Sequence, residues 1–503
     1  MKIQYRFFLP LNSLSVYSAF EIHLKMEYIE TIKPFALIVY YIFISFIIII
    51  VILDNKRPEK SFAYIFLILL IPVAGVIIYL LFGAQYQKKK MLTKKRYFDK
   101  VYVNQISEIN KLAPVRNPSS FYGKLPTLFY NIEQVNFTYN NKIEVLHNGE
   151  EKFPKLLEEL NKAQKSIHLD YYIIKDDDIG NQIFDILCHK ARAGVKVKII
   201  YDDVGSSISR EGLIKLNLSG VQAYPYMPVL FSRLAHKANY RNHRKIVVID
   251  NETGFLGGIN IKDKYINPNK QGLYWRDTHI MIKGEAVVDL QYLFISDWYF
   301  VSGQKIDLDE VRYENKYNIS NHVPTSILGS DYGKSNQTIM EAFFGMITSA
   351  REEVLITTPY FIPDESIFNA LKITSKSGVK IKLIIPEKTD IRTAFYASQT
   401  YLKELLLSGI EVYFYTKGMM HSKTMIIDSL ISTVGSTNMD QRSFSLNAEV
   451  NAFIHDKEIA EKLRFYFEED LKDCYKLQLI DLKNRPWYVK VLSSIARLIA
   501  PIL

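Results

Sequence analysis

At 503 residues the chain exceeds a single hydrophobic core, so two or more domains are expected. Its 48% apolar and 23% charged residues exclude extensive disorder, and its two cysteines, Cys188 and Cys474, exclude a disulfide framework or a zinc site. The net charge of +10 admits nucleic acid, phosphorylated small molecules or an acidic membrane surface as partners without choosing among them.

Residues 1–25 show no apolar periodicity, and Met26 stands shortly before the first apolar run as an alternative start to Met1. Pro34–Leu53 and Phe62–Phe82 then run without a charge. Each is long enough to cross a hydrocarbon core of ~30 Å at ~1.5 Å per residue. A signal peptide has a shorter apolar region, and two adjacent runs read as a two-helix transmembrane hairpin. Pro72 and Gly75 in the second run are compatible with a membrane helix. The basic cluster Lys88, Lys89, Lys90, Lys94, Lys95 and Arg96 outweighs Lys56, Arg57 and Lys60 of the short loop. The positive-inside rule therefore puts everything after residue 84 in the cytoplasm.

The less regular segment Arg96–Asn140 joins this anchor to the first half of a duplicated unit. Gly194-Val-Lys-Val-Lys-Ile-Ile is echoed by Gly378-Val-Lys-Ile-Lys-Leu-Ile, and Ser219-Gly-Val-Gln-Ala-Tyr-Pro-Tyr by Ser408-Gly-Ile-Glu-Val-Tyr-Phe-Tyr. Strand-like Ser166–Ile174 and Val354–Ile362 are each preceded by a helical stretch, Pro154–Ala163 and Gln337–Ala350. Each is followed by another, Ile179–Ala193 and Glu365–Ser377. The rhythm predicts an α/β fold: two halves, 97–320 and 321–503, each with a central β-sheet flanked by helices. Near the end, Val491, Leu492, Ile495, Leu498 and Ile499 share one helical face. That stripe is expected to dock on the second half, with a helix lying in a membrane interface as the alternative.

The third echo carries chemistry. His243-Arg-Lys245-Ile-Val-Val-Ile-Asp250 leads to Gly257-Gly258-Ile-Asn260, and His421-Ser-Lys423-Thr-Met-Ile-Ile-Asp428 leads at the same spacing to Gly435-Ser436-Thr-Asn438. One H-x-K-x4-D arises by chance in roughly one chain of this size in twenty, whereas two inside a duplication do not. On a strand, a histidine and a lysine two apart share a face and reach one phosphate. Gly258 and Ser436 permit close approach, and the Asn260 and Asn438 amides suit a phosphoryl oxygen. A phosphodiester repels nucleophiles, so its cleavage needs neutralising charge, an attacker and a proton for the leaving group. Lys245 and Lys423 supply the first. His243 and His421 divide the others, one forming a phosphohistidine and one acting as acid and base. The scheme requires no metal and no cofactor. The remaining histidines, including His168 and His279 in strand-like runs, read as structural.

These motifs resemble the phospholipase D superfamily, in which two halves build one site. The resemblance is closest to bacterial cardiolipin synthases, through the apolar hairpin, Asp202-Asp-Val-Gly-Ser, Tyr240-Arg-Asn-His-Arg-Lys, Trp275-Arg-Asp-Thr-His, Gly435-Ser-Thr-Asn-Met-Asp-Gln-Arg-Ser-Phe, Leu446-Asn-Ala-Glu-Val-Asn and the terminal Ala500-Pro-Ile-Leu. Ile327-Leu-Gly-Ser-Asp departs from the Ser-Gly-Pro-like run expected there. The resemblance implies phospholipase D-like halves that move a phosphatidyl group between two phosphatidylglycerol molecules, giving cardiolipin and glycerol. It makes His243 the nucleophile and His421 the acid–base. It implies phosphatidylglycerol and other membrane phospholipids as partners, no nucleic acid, and a multi-pass place in the bacterial inner membrane with the catalytic part in the cytoplasm. The rival readings are a phospholipase D that hydrolyses phospholipids to phosphatidic acid, a nuclease of the same superfamily, and a non-catalytic lipid-binding scaffold.

Overall fold

The computed structural model describes residues 33–53, 58–80, 124–228, 240–268, 272–307, 311, 322–331 and 337–498. The basic cluster after the second apolar run, the candidate start sites and Ile499 lie outside them. The chain divides into two units, Met1–Met91 and Leu92–Leu503.

In the first unit, Lys33–Leu53 is one apolar helix long enough to cross a membrane. The second run differs from the expected single span. It forms helices Pro58–Leu70 and Pro72–Ile78, broken at Ile71, whose backbone is extended at φ −135° and ψ 75°. Pro72 has no N–H, and its ring excludes helical backbone at the residue before it. The break folds the second piece back so closely that a Cβ on Gly75 would lie 2.6 Å from the Cα of Ile68. Ile44, Ile47 and Val51 pack with Ile68, Val76 and Tyr79, while Phe35, Ile38, Ile42 and Phe46 stay exposed. Among the described residues only one helix is long enough to span.

The larger unit carries strands β1 (Asn141–His147), β2 (Ser166–Tyr171), β3 (Lys196–Asp202), β4 (Gln222–Tyr226), β5 (Arg241–Asn242), β6 (Lys245–Ile249), β7 (Thr253–Gly257), β8 (Tyr274–Arg276) and β9 (Thr278–Gly284) in its first half. Its second half carries β10 (Thr325–Ser330), β11 (Glu353–Thr357), β12 (Phe361–Ile362), β13 (Lys380–Pro386), β14 (Glu411–Tyr415), β15 (Gly418–Met420), β16 (Thr424–Ile427), β17 (Ile431–Gly435), β18 (Met439–Asp440), β19 (Asn447–His455) and β20 (Cys474–Lys476). One sheet runs β1-β9-β7-β6-β2-β3-β4 and the other β10-β19-β17-β16-β11-β13-β14-β20. Without β20 the two orders correspond strand for strand. In each, the strand after the histidine motif lies antiparallel between two neighbours, with Ile246 opposite Leu256 and Met425 opposite Thr433.

Helices Asn148–Lys162 and Asp178–Arg192 cover one sheet's outer face through Phe153, Leu156, Ile183 and Phe184. Thr338–Ser349, Glu365–Lys376 and Arg392–Leu407 cover the other's. The inner faces meet in one core: Ile246, Val248 and Ile280 from the first half join Leu355, Ile426 and Val450 from the second. That shared burial makes 92–503 one compact unit of mixed α/β layers.

The final helix, Trp487–Leu498, inverts its expected orientation. Ser493 and Ala496 are buried against helix Arg392–Leu407, while Val491, Leu492, Ile495 and Leu498 are exposed. Small side chains let two helices approach closely, and bulky ones on that face would hold them apart.

Candidate active site

Both motif histidines sit just ahead of their strands, since β6 starts at Lys245 and β16 at Thr424. Short parallel pairings across the halves hold them there. β5 pairs with the start of β19, and the His243 N–H donates to Ala448 O at 2.9 Å. β8 pairs with β15, and the His421 N–H donates to Arg276 O at 2.7 Å. Arg244 is wholly buried beside them, ion-paired with Asp297 and donating to Ser330 O at 2.9 Å and Asp331 at 3.0 Å. The run that departs from the resemblance, Ile327–Asp331, thus holds the backbone next to His243.

Each histidine takes its carboxylate from the other half. His243 Nδ1 lies 2.9 and 3.0 Å from the two Glu449 oxygens, and His421 Nδ1 lies 2.6 Å from Asp277 Oδ2. An ionised carboxylate only accepts, so Nδ1 carries the proton and Nε2 keeps its lone pair. Burial pushes His243 down to about 4, against the opposing pull of Glu449, and pushes His421 well below its ordinary value. With those values both rings are neutral at cellular pH.

Glu449 and Asp277 are functional positions the sequence reading left without a role. They occupy equivalent places, Glu449 on β19 and Asp277 immediately before β9, each two residues ahead of the run that pairs with the strand leading into Gly-x-x-Asn. The local echo Asp277-Thr-His279 and Glu449-Val-Asn451 was the available signal.

The lysines complete the cluster. Lys245 Nζ donates to His243 O at 2.6 Å, and Lys423 Nζ to His421 O. Burial lowers Lys245 to about 7 and Lys423 to about 8, with Glu449 and Asp277 respectively pulling each back up most strongly. Each lysine's charge acts on both histidines, so the four side chains form one electrostatic site. An anion entering it would restore full charge on both amines. Tyr172 packs edge-on against His243 at 4.9 Å, and Trp275 lies 5.3 Å from His421 with Lys264 Nζ 3.9 Å over its ring.

The other expected positions divide. Gly258 and Ser436 serve the carboxylates: a Cβ on Gly258 would meet Asp277 Oδ1 at 2.1 Å, and Ser436 donates its hydroxyl to Glu449. Asn438 stands beside Asp440, and its Oδ1 has no hydrogen-bond partner among the described residues. Asn260 is already engaged, accepting from Ile173 N–H at 3.2 Å and donating to Tyr265 Oη at 2.5 Å. Asp250 and Asp428 are not brought to the cluster. They follow the far ends of β6 and β16, both at φ +52°. Five residues of strand put Asp250 about 16 Å from the Lys245 end. There Asp250 accepts from the N–H groups of Gln164, Lys165 and Ser166 at 2.7–2.9 Å, and Asp428 from those of Arg351, Glu352 and Glu353 at 2.8 Å. Of the structural histidines, His168 is buried against Gln291 and Phe294, and His279 Nδ1 accepts from Ile259 N–H at 3.4 Å.

Comparison with known proteins agrees with this frame. A family model described as cardiolipin synthase, PLD-like domain, matches residues 156–298 and 343–471. One described as phospholipase D-nuclease N-terminal matches residues 42–83. A cardiolipin synthase of Geobacillus kaustophilus is 37% identical over 462 residues, 92% of each chain. Cardiolipin synthase 2 of Bacillus anthracis is 38% identical over 457 residues, 90% of this chain and 89% of that one. Among solved structures, a phosphatidylserine synthase of Haemophilus influenzae superimposes with a TM-score of 0.59 at 16% identity, over 76% of this chain and all of that one. This last likeness speaks to the fold alone.

Proposed function

This chain belongs to the phospholipase D-like cardiolipin synthase family, and on that premise we propose that it transfers a phosphatidyl group from one phosphatidylglycerol to a hydroxyl of a second. The products are cardiolipin and glycerol. The observation that carries the reading is the crossed pairing of His243 with Glu449 and His421 with Asp277, which builds one phosphodiester site from both halves.

His243 Nε2 attacks phosphorus and the bond to the departing glycerol oxygen breaks, leaving a phosphatidyl group on His243. The bound phosphodiester's charge raises His421, which hands that oxygen its proton. Neutral His421 then takes the proton of the second lipid's hydroxyl as that oxygen attacks phosphorus and releases His243. Lys245 and Lys423 neutralise the non-bridging oxygens. Asn438, whose buried Oδ1 is unengaged among the described residues, orients the acceptor hydroxyl as a hydrogen-bond acceptor, a role Asn260 cannot take while it holds Tyr265.

The apolar runs of the first unit fix the enzyme to the bacterial inner membrane as a multi-pass anchor, with the catalytic unit on the cytoplasmic face. Residues 97–320 and 321–503 are its phospholipase D-like halves. Membrane phospholipids are then its partners.

Purified full-length protein in phosphatidylglycerol vesicles tests the reading, with lipids and glycerol quantified by mass spectrometry. Cardiolipin and glycerol in equal amounts are expected. Phosphatidic acid as the dominant product, without cardiolipin, would make the enzyme a hydrolase and overturn the proposal. Protease digestion of sealed inverted vesicles tests orientation: the catalytic unit should be cut without lysis.

A further inference from the structure

The outward face of the last helix is large and apolar. Trp487 is 76% exposed, Tyr488 52%, Ile495 55% and Leu498 81%, with Val491 and Leu492 beside them. At 100° per residue, Tyr488, Val491, Leu492, Ile495 and Leu498 fall within an arc of about 120°. Val489, Ser493 and Ala496 occupy a separate, narrower arc, and it is this small-residue side that meets helix Arg392–Leu407. Lys490, Ser494 and Arg497 take the remaining side. The helix is therefore divided into three faces: the small side chains set the close approach to the protein, and Arg497, 5.2 Å over the Tyr401 ring, adds a contact at the edge of that face.

An apolar face so exposed calls for a cover. Its composition points to one kind. Trp and Tyr lead the helix, and both suit the boundary between headgroups and hydrocarbon. Lys483 and Lys490 lie in or just before the helix and are exposed, with a single acidic residue, Asp481, beside them in the sequence. That charge complements an anionic lipid surface, and phosphatidylglycerol is anionic. Ile480, 57% exposed on the preceding helix Leu479–Lys483, extends the apolar strip. We propose that Trp487–Leu498 lies flat in the membrane interface, its Trp487–Leu498 apolar face sunk among anionic lipids and its Ser493/Ala496 face fixed to the catalytic unit. It would thereby act as a second membrane contact, separate from the apolar runs of the first unit, and set the height of the catalytic unit over its lipid substrate. The choice of an anionic bilayer rests on the proposed function; the outward apolar face does not.

The chain contains its own probe. Of the three tryptophans, Trp275 and Trp298 are buried at 4% and 0% exposure, so Trp487 alone is open. Full-length protein is reconstituted into phosphatidylglycerol vesicles, and the Trp487→Phe spectrum is subtracted to isolate Trp487. A blue-shifted emission, quenched by phospholipid brominated near the top of the acyl chain and shielded from aqueous acrylamide, is the expected result. Emission equally open to acrylamide with and without vesicles overturns the proposal. Shielding from both quenchers means that protein, such as a second copy of this chain, covers the face, and overturns it too. The functional counterpart is L492E/I495E, two outward positions that leave the docked side untouched. Its turnover of vesicle phosphatidylglycerol should fall several-fold, with turnover of a monomeric short-chain phosphatidylglycerol retained. Equal loss on both substrates is a folding defect or a site effect, and counts against the interfacial role. Because the fluorescence needs no catalysis, insertion of Trp487 without cardiolipin formation would overturn the proposed function and leave this inference standing.

Discussion

The two histidine sites share a frame and differ in how their carboxylates are held. In one, Glu449 faces His243 and is braced by the Ser436 hydroxyl and by Asn447 Nδ2 at 3.2 Å. In the other, Asp277 faces His421, accepts from Thr278 N–H at 2.8 Å, and fits only because Gly258 has no side chain. The longer acid with added donors has its carboxyl held low by His243 and by those bonds, in spite of burial. The shorter acid is pushed up by burial to about 6, with Lys423 opposing. One duplicated frame therefore carries an acid that stays ionised and an acid that titrates near cellular pH. This asymmetry suits a division of labour between a fixed nucleophile and a proton carrier.

The largest test of that division removes each histidine. His243→Ala and His421→Ala should each lower cardiolipin formation roughly 10⁴-fold or more, since each deletes a whole chemical step. The comparison is sharpened by what accumulates. Intact mass spectrometry of His421→Ala at neutral pH, with a phosphatidyl donor whose leaving group is a nitrophenolate that departs without a proton, should find a phosphatidyl adduct on His243. An adduct on His421 in His243→Ala, and none in the other variant, would reverse the roles.

The carboxylates come next. Glu449→Gln and Asp277→Asn keep shape and remove charge, so each should cost roughly 10²–10³-fold in turnover by leaving its imidazole without an anionic partner. Their pH profiles should separate them. Wild-type activity should decline as pH falls through about 6, where Asp277 takes up a proton. That limb should vanish from the residual activity of Asp277→Asn and persist in Glu449→Gln. The stability linkage has the opposite sense. With its folded value raised from 3.8 to about 6, Asp277 binds more protons folded than unfolded in that window, so its contribution to stability falls as pH rises through it. Asp277→Asn should flatten the fall. A wild-type profile unchanged between pH 7 and 5 would break the contrast.

Away from the chemistry the two halves should behave alike. Asp250 and Asp428 each collect three N–H groups at the base of their strands. Replacing either by Ala orphans those donors and leaves Ala in a left-handed conformation. Being partly exposed, the loss should be about 2–3 kcal/mol in urea unfolding for each variant. Turnover per folded molecule should remain near wild type. A loss of turnover with full stability in either one would bring that aspartate into the chemistry.

The α/β frame and the shared site were legible because both depend on local repetition. The Gly-Val-Lys echoes became β3 and β13, and the Ser-Gly echoes lead into β4 and β14. What was not legible depends on pairing between distant segments. Nothing near His243 announces Glu449; the parallel pairing of β5 with β19 brings them together. The histidines were expected on strands and sit ahead of them, where those cross-half bonds replace ladder bonds. The second apolar run was read as continuous, yet Pro72 divides it at Ile71. The last helix was read by its large residues, whereas its small ones, Ser493 and Ala496, decide which side docks. Apolar periodicity identifies a face without saying what it meets.

The smallest expected effect probes the bracing itself. Ser436→Gly copies the first half's residue into the second, and open space replaces the hydroxyl. Glu449 would keep His243 and Asn447 but lose one donor, and Val450 N–H would lose its acceptor, Ser436 Oγ at 3.0 Å. A hydrogen bond to a charged acceptor contributes about 1.5–3 kcal/mol when lost, and here two partners remain, so about a tenfold fall in turnover is expected. The remaining carboxylate, less well held, should titrate at higher pH and begin to resemble Asp277. An acid limb in this variant, steeper than the wild-type one and measured as turnover against pH, would show that the hydroxyl makes Glu449 differ from its counterpart. An unchanged profile would place the difference in the acids' length and reach instead.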